Sequence, residues 1–294
     1  MHLTARSLLP ALFVVALAAA TGCAPQETSS PADASSTGAT ASAKSCDKAA
    51  LPTRAKGKLT IGTDKPAYAP WFQDDDPASG KGFESAVAYS VAKALGYGKD
   101  QVVWQTVPFN NSFAPGEKNF DFDINQVSIS DERKRAVDFS SGYYELRQAV
   151  IALKNSPYAK ARTGADLKGA KLGAQVGTTS LDTINEIIKP AQKPAVFQKN
   201  DFAKSALRNG QVDAIVVDLP TAFYITSAEV PDAKVVGQFA NSAGTAEQFG
   251  LVLDKGSALT SCVTRAVDGL RKDGTLAALE KQWLSDAVNA PVLK

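Results

Sequence analysis

Between Lys58 and Leu284, short apolar runs of strand character alternate with stretches of helical period, and this alternation confines the chain to an α/β fold. The predicted strands are Lys58–Thr63, Gln101–Val107, Phe122–Ile129, Tyr144–Leu153, Lys171–Val176, Ala195–Gln198, Asp213–Val217, Ala233–Phe239 and Phe249–Leu253. Between them, Phe83, Val87, Val91 and Leu95 recur at helical spacing. Further helices are predicted over Ser180–Ile188, Phe202–Asn209, Leu219–Ser227, Leu259–Asp273 and Thr275–Leu284. Largely parallel sheets follow from this order. The long runs Tyr144–Leu153 and Glu247–Leu253 are candidate crossovers, which divides the body into one lobe of 51–149 with 247–294 and a second of 150–246. Two connecting strands allow hinge closure, and the crevice at the strand ends is where such folds take ligands.

Ahead of that body the composition changes twice. His2 and Arg6 open a short polar region, Leu8–Ala20 is apolar apart from Pro10, and small residues lead to Cys23. Residues 1–22 therefore read as a signal peptide, since the apolar run falls short of the roughly 20 residues a membrane span needs. The ending Ala20-Thr21-Gly22-Cys23 resembles a bacterial lipobox, in which the cysteine is acylated with palmitate-type chains and becomes the new N-terminus. Ordinary cleavage leaving Cys23 as a plain thiol is the alternative. Residues 24–45 draw 18 of 22 positions from Ala, Ser, Thr, Pro and Gly. Such a stretch buries too little apolar surface to offset its ordering entropy, so residues 23–50 are expected to form a flexible, lipid-linked tether.

Composition also excludes whole classes of chemistry. The only histidine is His2 and the only methionine is Met1, so cleavage leaves a mature chain with neither. Ser-His-Asp and Cys-His catalysis and histidine-ligated zinc are thereby removed. No metal site, cofactor or catalytic constellation is expected. The chain carries 32 Lys and Arg against 30 Asp and Glu, a near-neutral balance that argues against nucleic-acid or general membrane-surface binding by a monomeric body. Cys46 and Cys262 lie far apart in sequence, and an oxidising compartment favours a disulfide between them. Two buried thiols are the alternative.

Seven motifs in one order, LTIGTD at 59–64, AYAPW at 67–71, GFE at 82–84, VSISDERKRAVDFSSGYY at 127–144, DLKGAKLGAQVGTTS at 166–180, NGQVDAIVVD at 209–218 and DGTLAALEKQWL at 273–284, make the body similar to the family 3 extracellular solute-binding proteins. The resemblance covers nearly all of residues 59–284. It implies the type II periplasmic-binding-protein-like fold, two α/β lobes on a two-strand hinge. It also implies capture of a polar amino acid for delivery to the membrane permease of an ABC importer.

By the family pattern, Arg133 meets the ligand carboxylate, because a guanidinium fork matches a planar carboxylate better than an ammonium does. On residues alone, Arg133-Lys134-Arg135 beside Asp131 and Glu132 equally describes a solvated face, to which Lys134 and Arg135 are assigned. Ser128 is expected on the same ligand. Asn125 and Gln126 stand where the family often has small residues or glycine. Thr178, Thr179 and Ser180 join a strand to a helix, where they cap it, offer donors to an anion, or do both, and the resemblance points to Thr179 as the contact with Thr178 or Ser180 beside it. Asp218, ending an apolar strand, either takes the ligand ammonium or caps the next helix. Asp64, Tyr68 and Trp71 follow the first strand, where the family reads the side chain. Alternatively, the two aromatics belong to the core. Phe109 and Asn110 are weaker candidates, and the helix dipole accounts for Glu84 without a binding role.

The acidic Asp64 and the amides Asn125 and Gln126 favour an amide or basic ligand side chain. Two other functions share the scaffold: a prephenate- or arogenate-type dehydratase, and a sensory amino-acid receptor.

Overall fold

The computed structural model describes residues 46–240, 246–284 and 290–294. The predicted signal peptide, Cys23 and the tether through residue 45 lie outside the described residues. Lys48–Ala50, expected at the end of that tether, instead forms a turn of 3-10 helix.

In chain order the elements are β1 (Leu59–Thr63), α1 (Phe83–Ala94), β2 (Val102–Thr106), α2 (Phe109–Ser112), β3 (Phe122–Asp123), β4 (Val137–Leu146) and β5 (Gln148–Leu153). They continue as β6 (Leu172–Gln175), α3 (Thr179–Asp182), β7 (Ala195–Phe197), α4 (Asn200–Arg208), β8 (Ala214–Asp218) and α5 (Leu219–Tyr224). The chain then forms β9 (Ala233–Phe239), β10 (Glu247–Asp254), α6 (Thr260–Lys272), α7 (Thr275–Leu284) and β11 (Val292–Leu293). The predicted helices after β6 and β8 begin as α3 and α5 and widen into π-type turns over Thr183–Ile188 and Ile225–Glu229.

Two sheets result, ordered β2-β1-β3-β10-β4 and β11-β9-β5-β8-β6-β7. The chain leaves the first sheet at Arg147, which splits the single predicted strand Tyr144–Leu153 into β4 and β5. It returns between Phe239 and Glu247. The parallel pairs predicted from the α/β alternation are present: β1 with β2 and β3, and β6 with β7 and β8. The crossover strands differ, because each enters its sheet against the grain: β10 is antiparallel to β3 and β4, and β5 to β8 and β9. The C-terminal strand β11, expected with the first lobe, pairs with β9 in the second sheet. Gly237 makes room for it, since a Cβ there would lie 2.7 Å from the Pro291 carbonyl oxygen and the Leu293 side chain.

Each sheet has its own apolar core. The first is centred on Trp71, Phe83, Tyr143 and Phe249 with α1, α6 and α7 packed over it. The second sheet is covered on both faces by separate clusters around Ile215 and Val216. A disulfide joins Cys46 to Cys262, fastening the start of the body to α6. Phe249 lies at 0% exposure with its ring 5.4 Å from Trp71 and 5.9 Å from Tyr144, so it ties the return strand to the outgoing one. Phe249→Ala is expected to cost about 3–5 kcal/mol of unfolding free energy, read by urea titration. A loss within measurement error would contradict this packing.

Candidate functional site

Between the two sheets lies a cavity that both halves of the body line. The first lobe contributes Asp64, Tyr68, Phe109, Asn125, Gln126, Ser128 and Arg133; the second contributes Gln175, Thr178, Thr179, Asn200 and Asp218. Of the predicted ligand contacts, Trp71, Ser180 and the weaker candidate Asn110 are not among them; the others are. Gln175 and Asn200 were not anticipated from sequence. They meet because the Gln175 side-chain oxygen accepts from the Asn200 backbone N–H at 3.0 Å, joining β6 to the start of α4.

Arg133 sits in a 3-10 turn whose neighbours Lys134 and Arg135 face solvent, as assigned from the sequence. Arg133 itself is only 8% exposed. Its Nη1 donates to the Ser128 carbonyl at 2.7 Å and its Nη2 to the Gly177 carbonyl, across the cleft, at 2.8 Å. The Phe113 ring lies 4.3 Å beneath the guanidinium. Gly177 permits this approach, having φ +73 and packing so closely on Asn110 that a Cβ would lie 2.3 Å from the amide oxygen. Among the described residues, the ion pairs do not include Arg133. Its charge is therefore buried against dipoles and an aromatic face, and burial pushes its pKa down although Asp182, Glu247 and Asp218 oppose that shift.

The two threonines divide the roles left open by the sequence. Thr178 caps α3: its hydroxyl accepts from the Leu181 N–H at 3.2 Å and donates to the Gln175 carbonyl at 2.8 Å. Thr179 instead faces Ser128 across the cleft, the two hydroxyl oxygens 3.3 Å apart. Ser180 does not line the cavity. It is buried and donates to the Gln148 side-chain oxygen at 2.6 Å. Asp218 occupies the N-cap position of α5 but makes no side-chain cap bond, so the capping alternative does not describe its carboxylate. One oxygen accepts from Gln148 Nε2 at 2.9 Å. Burial, reinforced by the nearby Glu247, pushes the Asp218 pKa up to about 7.

The remaining wall is polar. Asp64 accepts from the Lys65 and Phe109 N–H groups at 2.6 and 3.3 Å. The Asn125 amide nitrogen is buried without a protein partner among the described residues. Gln126 adopts φ +50, a backbone conformation that glycine takes more readily than other residues, and the predicted strand Phe122–Ile129 breaks here after β3. Its backbone N–H donates to Glu84 at 2.7 Å, and its side-chain amide and the Tyr143 hydroxyl also donate to that carboxylate. Glu84 is thus a buried anchor for the cavity wall as well as a first-turn helix residue, and burial pushes its pKa up to about 7.

Trp71 requires a correction, because the alternative weighed for it holds. It is a core residue at 0% exposure, not a cleft wall. Its ring packs edge-on against Phe83, Tyr144 and Phe249, where large apolar area is removed from water. Its indole N–H donates to Thr221 of α5 at 2.9 Å, a buried bond between the lobes.

The sequence pattern of the bacterial extracellular solute-binding proteins, family 3, matches residues 59–286. The L-cystine-binding protein TcyJ of Escherichia coli (strain K12) is 31% identical over 233 residues, covering 78% of this chain and 83% of that protein. Among solved structures, an ancestral arginine-binding protein bound to arginine is 29% identical with a TM-score of 0.64, covering 77% of this chain and 98% of the other. The ancestral amino-acid-binding protein AncCDT-1, a precursor of cyclohexadienyl dehydratase, is 30% identical with a TM-score of 0.64 over 78% of this chain and 95% of its own. Motifs, two-lobed fold and these similarities agree: the chain belongs to the family 3 bacterial extracellular solute-binding proteins.

Proposed function

We propose that this protein is the extracytoplasmic receptor of an ABC importer, which captures a polar amino acid in the interlobe cleft and hands it to a membrane permease. The buried Arg133 guanidinium carries this reading. A buried cation without an ionic partner is costly, and an incoming carboxylate supplies that partner in bidentate form. Ser128 and Thr179 add hydroxyl donors at the same end. Asp218, from the opposite lobe, takes the ammonium. A zwitterion then spans the cleft and favours closure, since each of its ends is held by a different lobe.

The ligand side chain extends toward Asp64, Tyr68, Asn125 and Gln126, which suits an amide or basic group. The lobes are taken as 51–149 with the chain from 247, and 150–246, with the strand Val292–Leu293 seated on the second. The anchor is the acylated Cys23, and the small-residue tether beyond it provides reach. Relatives that bind cystine and arginine support an amino-acid ligand.

Thermal-shift screening of the amino acids tests the capture step. One or more polar amino acids should raise the melting temperature of the wild type. Arg133→Ala should abolish that shift while leaving the unliganded protein folded. Normal affinity in Arg133→Ala would overturn the carboxylate site. Mass spectrometry of prephenate and arogenate after incubation extends the test to the dehydratase scaffold, and turnover of either would overturn the receptor reading.

Anchoring is tested separately. Cys23→Ser should move the protein out of the membrane fraction, and unchanged partitioning would contradict the lipid anchor.

A further inference from the structure

Gln148 is absent from the cavity lining, yet four side chains converge on its amide, two of them, Thr179 and Asp218, from the lining itself. It is the first residue of β5, immediately after the chain crosses between the lobes at Arg147, and it is buried. Its side-chain oxygen accepts from the Ser180 hydroxyl at 2.6 Å. That bond fixes the amide orientation, so the nitrogen faces the cleft. Nε2 then lies 2.9 Å from an Asp218 oxygen, 3.2 Å from the Thr179 hydroxyl and 3.3 Å from a Glu247 oxygen. Glu247 opens β10, the strand by which the chain returns to the first lobe.

The chemistry of the amide makes this arrangement directional. An amide nitrogen has two hydrogens and accepts nothing. A bond to Thr179 therefore makes the threonine oxygen the acceptor and leaves its one hydrogen free to turn toward Ser128 or into the cavity. A bond to one oxygen of Asp218 favours its ionised form and leaves the other oxygen free to accept. One side chain thus presents a donor at the end where a carboxylate binds and an acceptor at the end where an ammonium binds. It does so from the hinge, against the second carboxylate Glu247.

We propose that Gln148 is the positioning residue that sets hydrogen-bond polarity at both ends of the cleft, with Ser180 locking its amide. The assignment rests on Asp218 and Thr179 being ligand contacts. The charged and titratable groups that act on Asp218 are Glu247 of β10, Glu84 of α1, Arg133 beyond β3, and Tyr144 of β4, whose own pKa Asp218 helps to raise. Burial and the carboxylates raise the Asp218 pKa, whereas Gln148 and Arg133 lower it. An ammonium ligand requires the ionised form, so affinity should rise with pH until Asp218 is fully ionised. Without the amide, that rise should shift to higher pH.

The test is calorimetric titration of the whole mature protein with L-arginine and L-glutamine, whose carboxylates and side chains keep one charge between about pH 5.5 and about pH 8, with the loss of the α-ammonium proton toward the upper end corrected from a titration of the ligand alone. Gln148→Met keeps the chain length but removes the donors. It should weaken binding by roughly tenfold or more and move the pH midpoint upward. Ser180→Ala keeps the amide but frees its orientation, and should give a smaller loss with a shift in the same direction. It decides the matter alone if Gln148→Met does not fold.

Wild-type affinity in the folded variants would overturn the proposal, as would weaker binding with an unmoved pH midpoint, the mark of a packing residue. Asp218→Asn separates the two levels. If it retains wild-type affinity, the ammonium site itself is wrong. If it abolishes binding while the Gln148 and Ser180 variants behave as wild type, only the positioning role is lost. A wild type that binds neither amino acid would overturn both.

Discussion

A charged guanidinium placed out of water, between two carbonyl groups and an aromatic ring, is the interaction around which the cleft is arranged. Arg133 draws one carbonyl from each lobe, Ser128 from its own and Gly177 from the other, so its position depends on both. Opposite it stand Asp218 and Glu247, two carboxyl groups near one amide, of which Asp218 is held at a pKa near neutrality. A zwitterion can balance both ends, adding a carboxylate beside the guanidinium and an ammonium beside the acid. Burial gives that exchange its strength, because charges shielded from water interact more strongly than exposed ones.

The hinge and the site are physically continuous. Phe249 and Tyr144, from the two strands that belong to the crossovers, pack on Trp71, whose indole reaches Thr221 in the second lobe. Gln148 and Glu247 stand at the starts of the strands that follow each crossing, and their side chains meet 3.3 Å apart. Rotation of one lobe against the other would change these contacts together with the Arg133–Gly177 bond. In the proposed capture, ligand binding and lobe closure would draw on one set of interactions, and a ligand would shift the equilibrium only through what it adds to that set.

The strand and helix order was legible because periodicity reports burial, and most of the cavity-lining residues at strand ends were legible through the motif order. Thr178 and Thr179 show where reading by residue type stops: both suit a cap and both line the cavity, and only geometry shows that Thr178 makes the cap bond while Thr179 faces Ser128. Trp71 misled because an aromatic in a proline-rich loop looks like a ligand wall, while its packing partners lie far along the chain. Glu84 was credited only to the helix dipole, for its partners Gln126 and Tyr143 are 42 and 59 positions away. Gln148 gave no local signal at all. Inside the single predicted strand Tyr144–Leu153 nothing marks this glutamine, and only the fold brings Ser180, Asp218 and Glu247 around its amide.

The central claim is that both charges of one amino acid are gripped, each by a different lobe. Calorimetric titration with the amino acid that stabilises the body most, run beside its methyl ester and its Nα-acetyl derivative, tests this most directly. The ester lacks the anionic carboxylate and the acetyl compound lacks the cationic ammonium, while both keep the side chain. If Arg133 and Asp218 hold the two ends, each derivative should lose most of the affinity of the parent amino acid. A derivative that binds as tightly as the parent would contradict the bridge.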